Sequence, residues 1–191
     1  MRYAIDAMNL HKINDEVFIA LDPIVKIGGD ELTFLKTQAL ANDRKRARIC
    51  AHKTNEDTLH EMVIAISAQS YIHPHKHLGK SESFHIVEGE VDVVIFDDEG
   101  AITDIIELGD AASGRNLYYR LSESAFHTLL IHTDFLVVHE VTNGPFVRDK
   151  TVLAAFAPPE DRLVEARAYV QQVRPRRSVQ AHCEERIGLS G

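Results

Sequence analysis

The stretch HPHKHLGKSESFHIVEGEVDVVIFDDEG, residues 73 to 100, decides the fold, because potential metal ligands precede a glycine-containing turn between two strand-like runs. His75 and His77 alternate on a strand, so both imidazoles leave the same face. Glu82 follows after a short loop and can bring a carboxylate oxygen back toward the two ring nitrogens. The stretch therefore predicts strands joined by tight turns, with a metal site where it begins.

A fourth ligand candidate, His127, lies much later, in YYRLSESAFHTLLI, where a strand is again predicted. Two or three imidazoles with one carboxylate suit a divalent transition metal that keeps an open coordination position. Zinc, manganese, iron and nickel all remain open as its identity. Taken singly, an alternating histidine pair is more typical of a solvated strand, so the combination of residues carries the prediction.

These residues resemble the cupin superfamily, whose first motif has two alternating histidines, a glutamate and a glycine. Here that motif reads His75, His77, Glu82 and Gly89, although Gln69 stands where an opening glycine is expected. The second cupin motif supplies a histidine from a distant strand, which the resemblance identifies as His127. Ser122 and Ser124 stand where cupins usually have proline and glycine, so the second motif is weaker.

A narrower resemblance, to the WbuC-type cupin metalloproteins, covers roughly residues 32 to 160. The segments that carry it are RKRARICAH, YIHPHKH, KSESFHIVEG, VVIFDDEG, HEVTNGPF and FAPPE. The resemblance implies a single jelly-roll barrel and a metal site. Relatives of this type are often encoded with bacterial surface-polysaccharide genes, but the resemblance implies no settled activity.

Composition predicts one globular domain with extensions. The chain has 191 residues, 45% of them hydrophobic, and a formal net charge of −8. No long block of Lys or Arg is present, so a nucleic-acid partner is not expected. No segment is typical of a signal peptide or a membrane span, so we expect a cytoplasmic protein that keeps Cys50 and Cys183 reduced.

The order of strand and helix signals predicts three regions, at residues 1–47, 48–158 and 159–191. The first is an extension with a short strand and a helix, which Asp30 can cap. The second has many short apolar runs between turn signals, which is typical of a mainly β sandwich or barrel. The third begins after Pro158 and Pro159 with a helix and ends in a tail from Arg176 that has little apolar periodicity.

Four polar residues outside the motifs are candidates for ligand contact. Arg46 and Arg48 alternate on one face and could hold a phosphate or carboxylate, or they could form a solvated strand end. Tyr119 and Glu140 lie on predicted strands and would serve as acid and base if they face the barrel interior. Strand parity alone does not say which face is inside.

Three function classes remain open from the sequence. One is a metal-dependent isomerase or epimerase that acts on a sugar or sugar nucleotide, as the polysaccharide association of the similar proteins implies. Another is an iron-dependent oxygenase, because cupins with this ligand set also activate oxygen. The third is a protein that binds an anionic or sugar-like small molecule without turnover. By analogy with cupins that pair through sheet edges, we expect a homodimer.

Overall fold

The computed structural model describes residues 8–174, in which strands dominate and two helices flank them. An N-terminal group comprises β1 (Leu10–Lys12), β2 (Val17–Ala20), helix α1 (Gly29–Ala41) and β3 (Arg46–Cys50). Eight strands follow: β4 (Leu59–Ser67), β5 (His75–His77), β6 (Glu82–Glu88), β7 (Glu90–Phe96), β8 (Ile102–Gly109), β9 (Tyr118–Leu121), β10 (Phe126–Ile131) and β11 (Phe135–Asn143). A 3-10 turn (Arg148–Lys150), β12 (Thr151–Leu153) and helix α2 (Leu163–Val173) complete the described part of the chain.

The eight strands β4 to β11 form a jelly roll. One sheet contains them in the order β4-β11-β6-β9 and the other in the order β5-β10-β7-β8. All pairings within these two groups are antiparallel, and the chain repeatedly crosses from one sheet to the other. This is the two-sheet arrangement of a jelly roll, so the predicted barrel is confirmed.

Both sheets are extended at one edge. Strand β3 pairs with β4, and β2 and β1 follow it outward, so the first sheet has seven strands. Strand β12 pairs with β5, so the second sheet has five. The second extension matters for the site described below, because β12 lies beside the strand that carries His75 and His77.

The two helices cover the outer faces of the two sheets, as the predicted N-terminal and C-terminal helices require. Leu35 and Ala39 of α1 pack against β3 and β4, and Val173 of α2 packs against β7 and β10. The N-cap of α1 is Gly28, whose N–H donates to the Glu31 carboxylate at 2.8 Å. The prediction that Asp30 caps this helix is therefore wrong.

Burial on both faces explains why the barrel strands lack clear alternation of polar and apolar residues. In β7, Val91 and Val93 belong to the core between the sheets, whereas Val94 and Phe96 pack under α2. Strands with both faces covered are continuous apolar runs. A polar group in the core between the sheets therefore needs hydrogen-bond partners close to it.

No described helix is long and apolar enough to cross a membrane. The three-region division stays a prediction. Residues 1–7, the tail from Arg176 and Cys183 lie outside the described residues.

Gly89 forms the tight connection between β6 and β7, and we expect its replacement by alanine to destabilise the barrel strongly. Its φ is +91°, and a Cβ atom there would overlap the carbonyl oxygen of Phe135 and the hydroxyl of Thr133. Backbone strain together with this overlap predicts a loss of about 3 kcal/mol in the free energy of unfolding, measurable by urea denaturation.

Gly114 provides the matched control, because its φ is +73° but nothing lies within 4 Å of the added Cβ. Gly114→Ala should lose only about 1 kcal/mol, from backbone conformation alone. Equal losses in the two variants would contradict the claim that close approach at the β6–β7 turn requires glycine.

Candidate metal centre

Three imidazoles converge on one end of the barrel interior. His75 and His77 lie on β5, and His127 lies on β10 with His75 as its cross-strand partner. Each ring offers one nitrogen, and these three nitrogens lie within 4.8 Å of one another. These three histidines could therefore hold a metal ion together.

The other nitrogen of each ring is already engaged. The Nδ1–H of His75 donates to the carbonyl oxygen of His73 at 2.9 Å, and that of His127 donates to the carbonyl oxygen of Ala125 at 3.0 Å. The Nδ1 of His77 lies 3.1 Å from the hydroxyl of Thr151. Such contacts fix the ring orientation and leave the Nε2 lone pair for a cation, which is the usual pattern around metal-binding histidines.

Glu82 faces this cluster from the other sheet. It is the first residue of β6, and its side chain is 5% exposed. Its Oε1 lies 2.8 Å from Nε2 of His127, and its Oε2 lies 3.5 Å from Nε2 of His77. Because Nε2 lone pairs and a carboxylate point at one another, the arrangement requires a shared cation, either a proton or a metal ion. The donor set thus fits the divalent metal predicted from the sequence.

Glu82 and His127 each stabilise the charged form of the other. Burial raises the pKa of Glu82, but the charge and hydrogen bond of His127 outweigh burial and lower the pKa to about 2. Burial lowers the pKa of His127, but the charge and hydrogen bond of Glu82 raise it overall. Burial and the neighbouring His127 lower the pKa of His75 to about 4. Without metal, the shared proton therefore resides on His127, and His75 stays neutral.

Tyr119 and Glu140 both face the barrel interior, on the side that carries Glu82. The Tyr119 hydroxyl donates to Oε1 of Glu82 at 3.2 Å. Glu140 is the cross-strand partner of Phe84, which is in turn the partner of Tyr119. Withdrawal from water, together with the negative charge of Glu82, raises the pKa of Glu140 to about 7. Burial also holds the pKa of Tyr119 well above its usual range, so Tyr119 stays a neutral hydrogen-bond donor.

The two arginine candidates have different surroundings. Arg46 is largely buried, with Nη2 3.1 Å from Glu160 and Nε 3.6 Å from Glu16. Arg48 is exposed and shares its strand face with Cys50, which belongs to the core between the sheets. Within residues 8–174, no carboxylate lies within 4.0 Å of the Arg48 guanidinium. Arg46 is thus engaged in an ion-pair network, whereas Arg48 is available at the barrel edge.

Two further histidines of the opening stretch do not join the cluster. His73 is buried and its Nε2 contacts the carbonyl oxygen of Ala154 at 2.9 Å, so it fastens the loop before β5. His85 is exposed on the outer face of β6, as its parity predicts.

Three residues near the cluster were not predicted. Thr151 reaches His77 only because β12 pairs with β5, a long-range contact with no local sequence signal. Ser124 donates to the carbonyl oxygen of His77 at 2.6 Å and accepts from the N–H of Gly79 at 3.3 Å. This serine therefore joins the loop after β5 to the segment before β10. Lys80 lies in the quoted stretch itself, between the histidines and Glu82.

A small cleft opens beside the cluster, and its enclosed volume is only about 10 Å³. Its lining residues are His77, Lys80, Glu82, Leu121, Glu123 and His127. A ligand that enters this cleft therefore meets two of the histidines, the buried carboxylate and one lysine.

Comparison with known families matches residues 27–108 to a family described as a domain of unknown function, DUF6016. The match covers less than half of the chain. No curated protein matches this sequence.

Several solved structures have a similar backbone path. Protein SO0799 from Shewanella oneidensis is 16% identical, with a TM-score of 0.49 over 67% of this chain and 86% of that one. Salicylate 1,2-dioxygenase from Pseudoaminobacter salicylatoxidans is 14% identical, with a TM-score of 0.48 over 65% of this chain and 36% of that one. Oxalate decarboxylase from Bacillus subtilis is 15% identical, with a TM-score of 0.42 over 61% of this chain and 30% of that one.

Proposed function

We propose that this protein is a metal-binding cupin in which His75, His77, Glu82 and His127 hold one divalent transition metal. The observation that carries the proposal is the convergence of three imidazoles, two of whose Nε2 atoms lie against the Glu82 carboxylate, while all three Nδ1 atoms are engaged elsewhere. A surface group of histidines would not need its rings fixed in this way. The proposed metal is zinc, manganese, iron or nickel.

The bound metal would polarise a carbonyl or hydroxyl oxygen of a ligand. Tyr119 orients Glu82 through its hydroxyl and remains protonated while it does so. Glu140, with a pKa of about 7, is suited to accept and return a proton near neutral pH. Glu140 is therefore our catalytic candidate for a proton-transfer reaction, whereas Tyr119, the other candidate from the sequence, positions Glu82.

We favour a ligand that is anionic and hydroxyl-rich, such as a sugar acid, a sugar phosphate or one end of a sugar nucleotide. Arg48 supports this choice, because its guanidinium is exposed at the barrel edge and can form paired hydrogen bonds to a phosphate or carboxylate. An isomerase or epimerase in surface-polysaccharide metabolism fits this chemistry and the WbuC-type resemblance. We further propose a cytoplasmic homodimer that pairs through edge strand β1.

An iron-dependent oxygenase is the second candidate. The donor set of three imidazoles and one carboxylate favours it, because such a set also suits iron in oxygen chemistry. Oxygen uptake by the iron-loaded protein with a bound ligand would favour this candidate. Ligand binding without turnover would instead indicate a non-catalytic binding protein.

A thermal-shift screen of sugar phosphates, nucleotide sugars and 2-oxo acids tests the ligand class. We expect at least one of these anions to raise the melting temperature, and Arg48→Ala to weaken that ligand roughly 10-fold or more, because a charge-assisted hydrogen bond is lost. Arg46→Ala should lower the melting temperature slightly and leave the ligand shift intact, because Arg46 is engaged by Glu16 and Glu160.

Stabilisation by neutral apolar compounds alone would contradict the proposed ligand class. If the ligand raised the melting temperature of Arg48→Ala as much as that of the wild type, Arg48 would not be a ligand contact.

A further inference from the structure

We infer that Lys80 binds the anionic group of the ligand and thereby makes the cleft selective for hydroxy acids and phosphates over neutral polyols. This inference rests on the proposed function, since it concerns the same cleft. Lys80 lies in the loop between β5 and β6, so it would contact the anion next to the proposed metal ligands. The Arg48 guanidinium would contact the same ligand at the barrel edge.

The first observation is position. Lys80 lines the cleft together with His77, Glu82 and His127, and it is the only basic Lys or Arg side chain in that lining. It lies two residues before the first residue of β6, so its backbone is tied to the strand that positions Glu82. A ligand atom that reaches the imidazoles from this cleft therefore passes beside the lysine.

The second observation is that the Lys80 ammonium is free to take an anion. Within residues 8–174, no carboxylate oxygen lies within 4.0 Å of its Nζ, which lies over the Phe146 ring at 5.8 Å from the centroid. Other lysines differ, since Lys36 is paired with Glu88 and Lys76 with Asp98. An unpaired ammonium at the edge of a partly enclosed cleft is a ready partner for a carboxylate or phosphate.

The third observation is charge balance. Glu82 and Glu123 also line the cleft, so a ligand anion would face two carboxylates there. Like charges at close range oppose binding, and a cation in the same wall offsets this repulsion. Lys80 is the protein side chain that can do so, because the imidazoles are directed at Glu82.

Size narrows the ligand further. The enclosed part of the cleft has a volume of about 10 Å³, which is about the space of one water molecule. It can take a single oxygen atom of a ligand, whose remaining atoms would lie at the mouth of the cleft beside Lys80. The shared chemistry is an oxyanion with a hydroxyl or carbonyl oxygen on the neighbouring carbon.

Calorimetric titration of cobalt(II)-loaded protein tests this inference, with glycolate and glycerol 1-phosphate as the anionic probes and ethylene glycol as the neutral one. We expect the wild type to bind glycolate, glycerol 1-phosphate or both, and Lys80→Gln to weaken the bound anion about 10-fold or more, as expected for loss of a charge-assisted contact. Lys80→Arg should retain most of the affinity. Lys26→Gln, at an exposed position distant in sequence from the cleft, controls for the loss of one positive charge. All of these proteins should still bind one cobalt ion per chain, so that a loss of anion binding is not a loss of metal.

The two anions distinguish a carboxylate ligand from a phosphate ligand. Anion affinity that is unchanged in Lys80→Gln, or equal for glycolate and ethylene glycol in the wild type, would overturn the inference while leaving the metal site intact. If the wild type did not bind cobalt, that result would contradict the proposed function and therefore this inference as well.

Discussion

We expect the double variant His75→Ala/His77→Ala to purify as a folded protein that contains no bound metal, whereas the wild type contains close to one divalent metal per chain. The core between the sheets is formed by apolar residues of β4 to β11, and neither histidine belongs to it. In the proposed function the imidazoles would supply only the metal site, whereas the apolar strands supply most of the stability. Plasma mass spectrometry would give the metal content, and circular dichroism would report the fold.

His85 and His139 provide the matched control, since they are cross-strand partners on β6 and β11 and lie on the outer face of the same sheet. The variant His85→Ala/His139→Ala should retain its metal. Melting temperatures should be compared between metal-free forms, because bound metal itself stabilises the folded state. Undiminished metal in His75→Ala/His77→Ala would exclude these residues as ligands.

Glu82→Gln should weaken metal binding roughly 10- to 100-fold at pH 8, since the amide keeps the shape of the side chain but loses its negative charge. The same change should also reduce proton release at pH 7. In the wild type, Glu82 raises the pKa of His127, so metal binding to Nε2 must displace a proton from His127 below that pKa. In Glu82→Gln the pKa of His127 falls, and less proton is displaced. Calorimetry in buffers of different ionisation enthalpy measures both effects.

Glu61→Gln is the control for this experiment, because Glu61 lies 3.7 Å from His139 outside the barrel. It should change neither metal affinity nor proton release. A Glu82→Gln protein with wild-type affinity at pH 8 would show that the carboxylate is not a ligand, even if its proton release changed.

Much of the barrel is predictable from sequence because its signals are local. The alternation of His75 and His77 and the turn at Gly89 depend on residues that are neighbours in the chain. The glycine has a physical reason, since its φ is positive and the backbone of β11 approaches it closely. Local signals of this kind can be recognised in the sequence without knowledge of the tertiary fold.

The surroundings of the site are less predictable because they depend on strand pairing between distant segments. Thr151 contacts His77 only through the pairing of β12 with β5, and Arg46 is engaged by Glu160, which lies 114 residues away. Parity on an isolated strand could not assign Glu140 to the interior, because β11 carries polar residues on both faces, with His139 on one and Glu140 on the other. The strand pairing makes that assignment, because Glu140 lies opposite Phe84 and Phe84 lies opposite Tyr119, and both of these aromatic residues belong to the core.

The most direct test of the proposed metal centre is anomalous X-ray scattering from crystals of the purified protein, recorded on both sides of the absorption edge of the metal found by mass spectrometry. The proposal predicts one strong anomalous peak per chain, in contact with Nε2 of His75, His77 and His127 and with the Glu82 carboxylate. A metal-bearing protein whose anomalous peak lies elsewhere, or a cluster that holds only the His127–Glu82 proton contact, would contradict it.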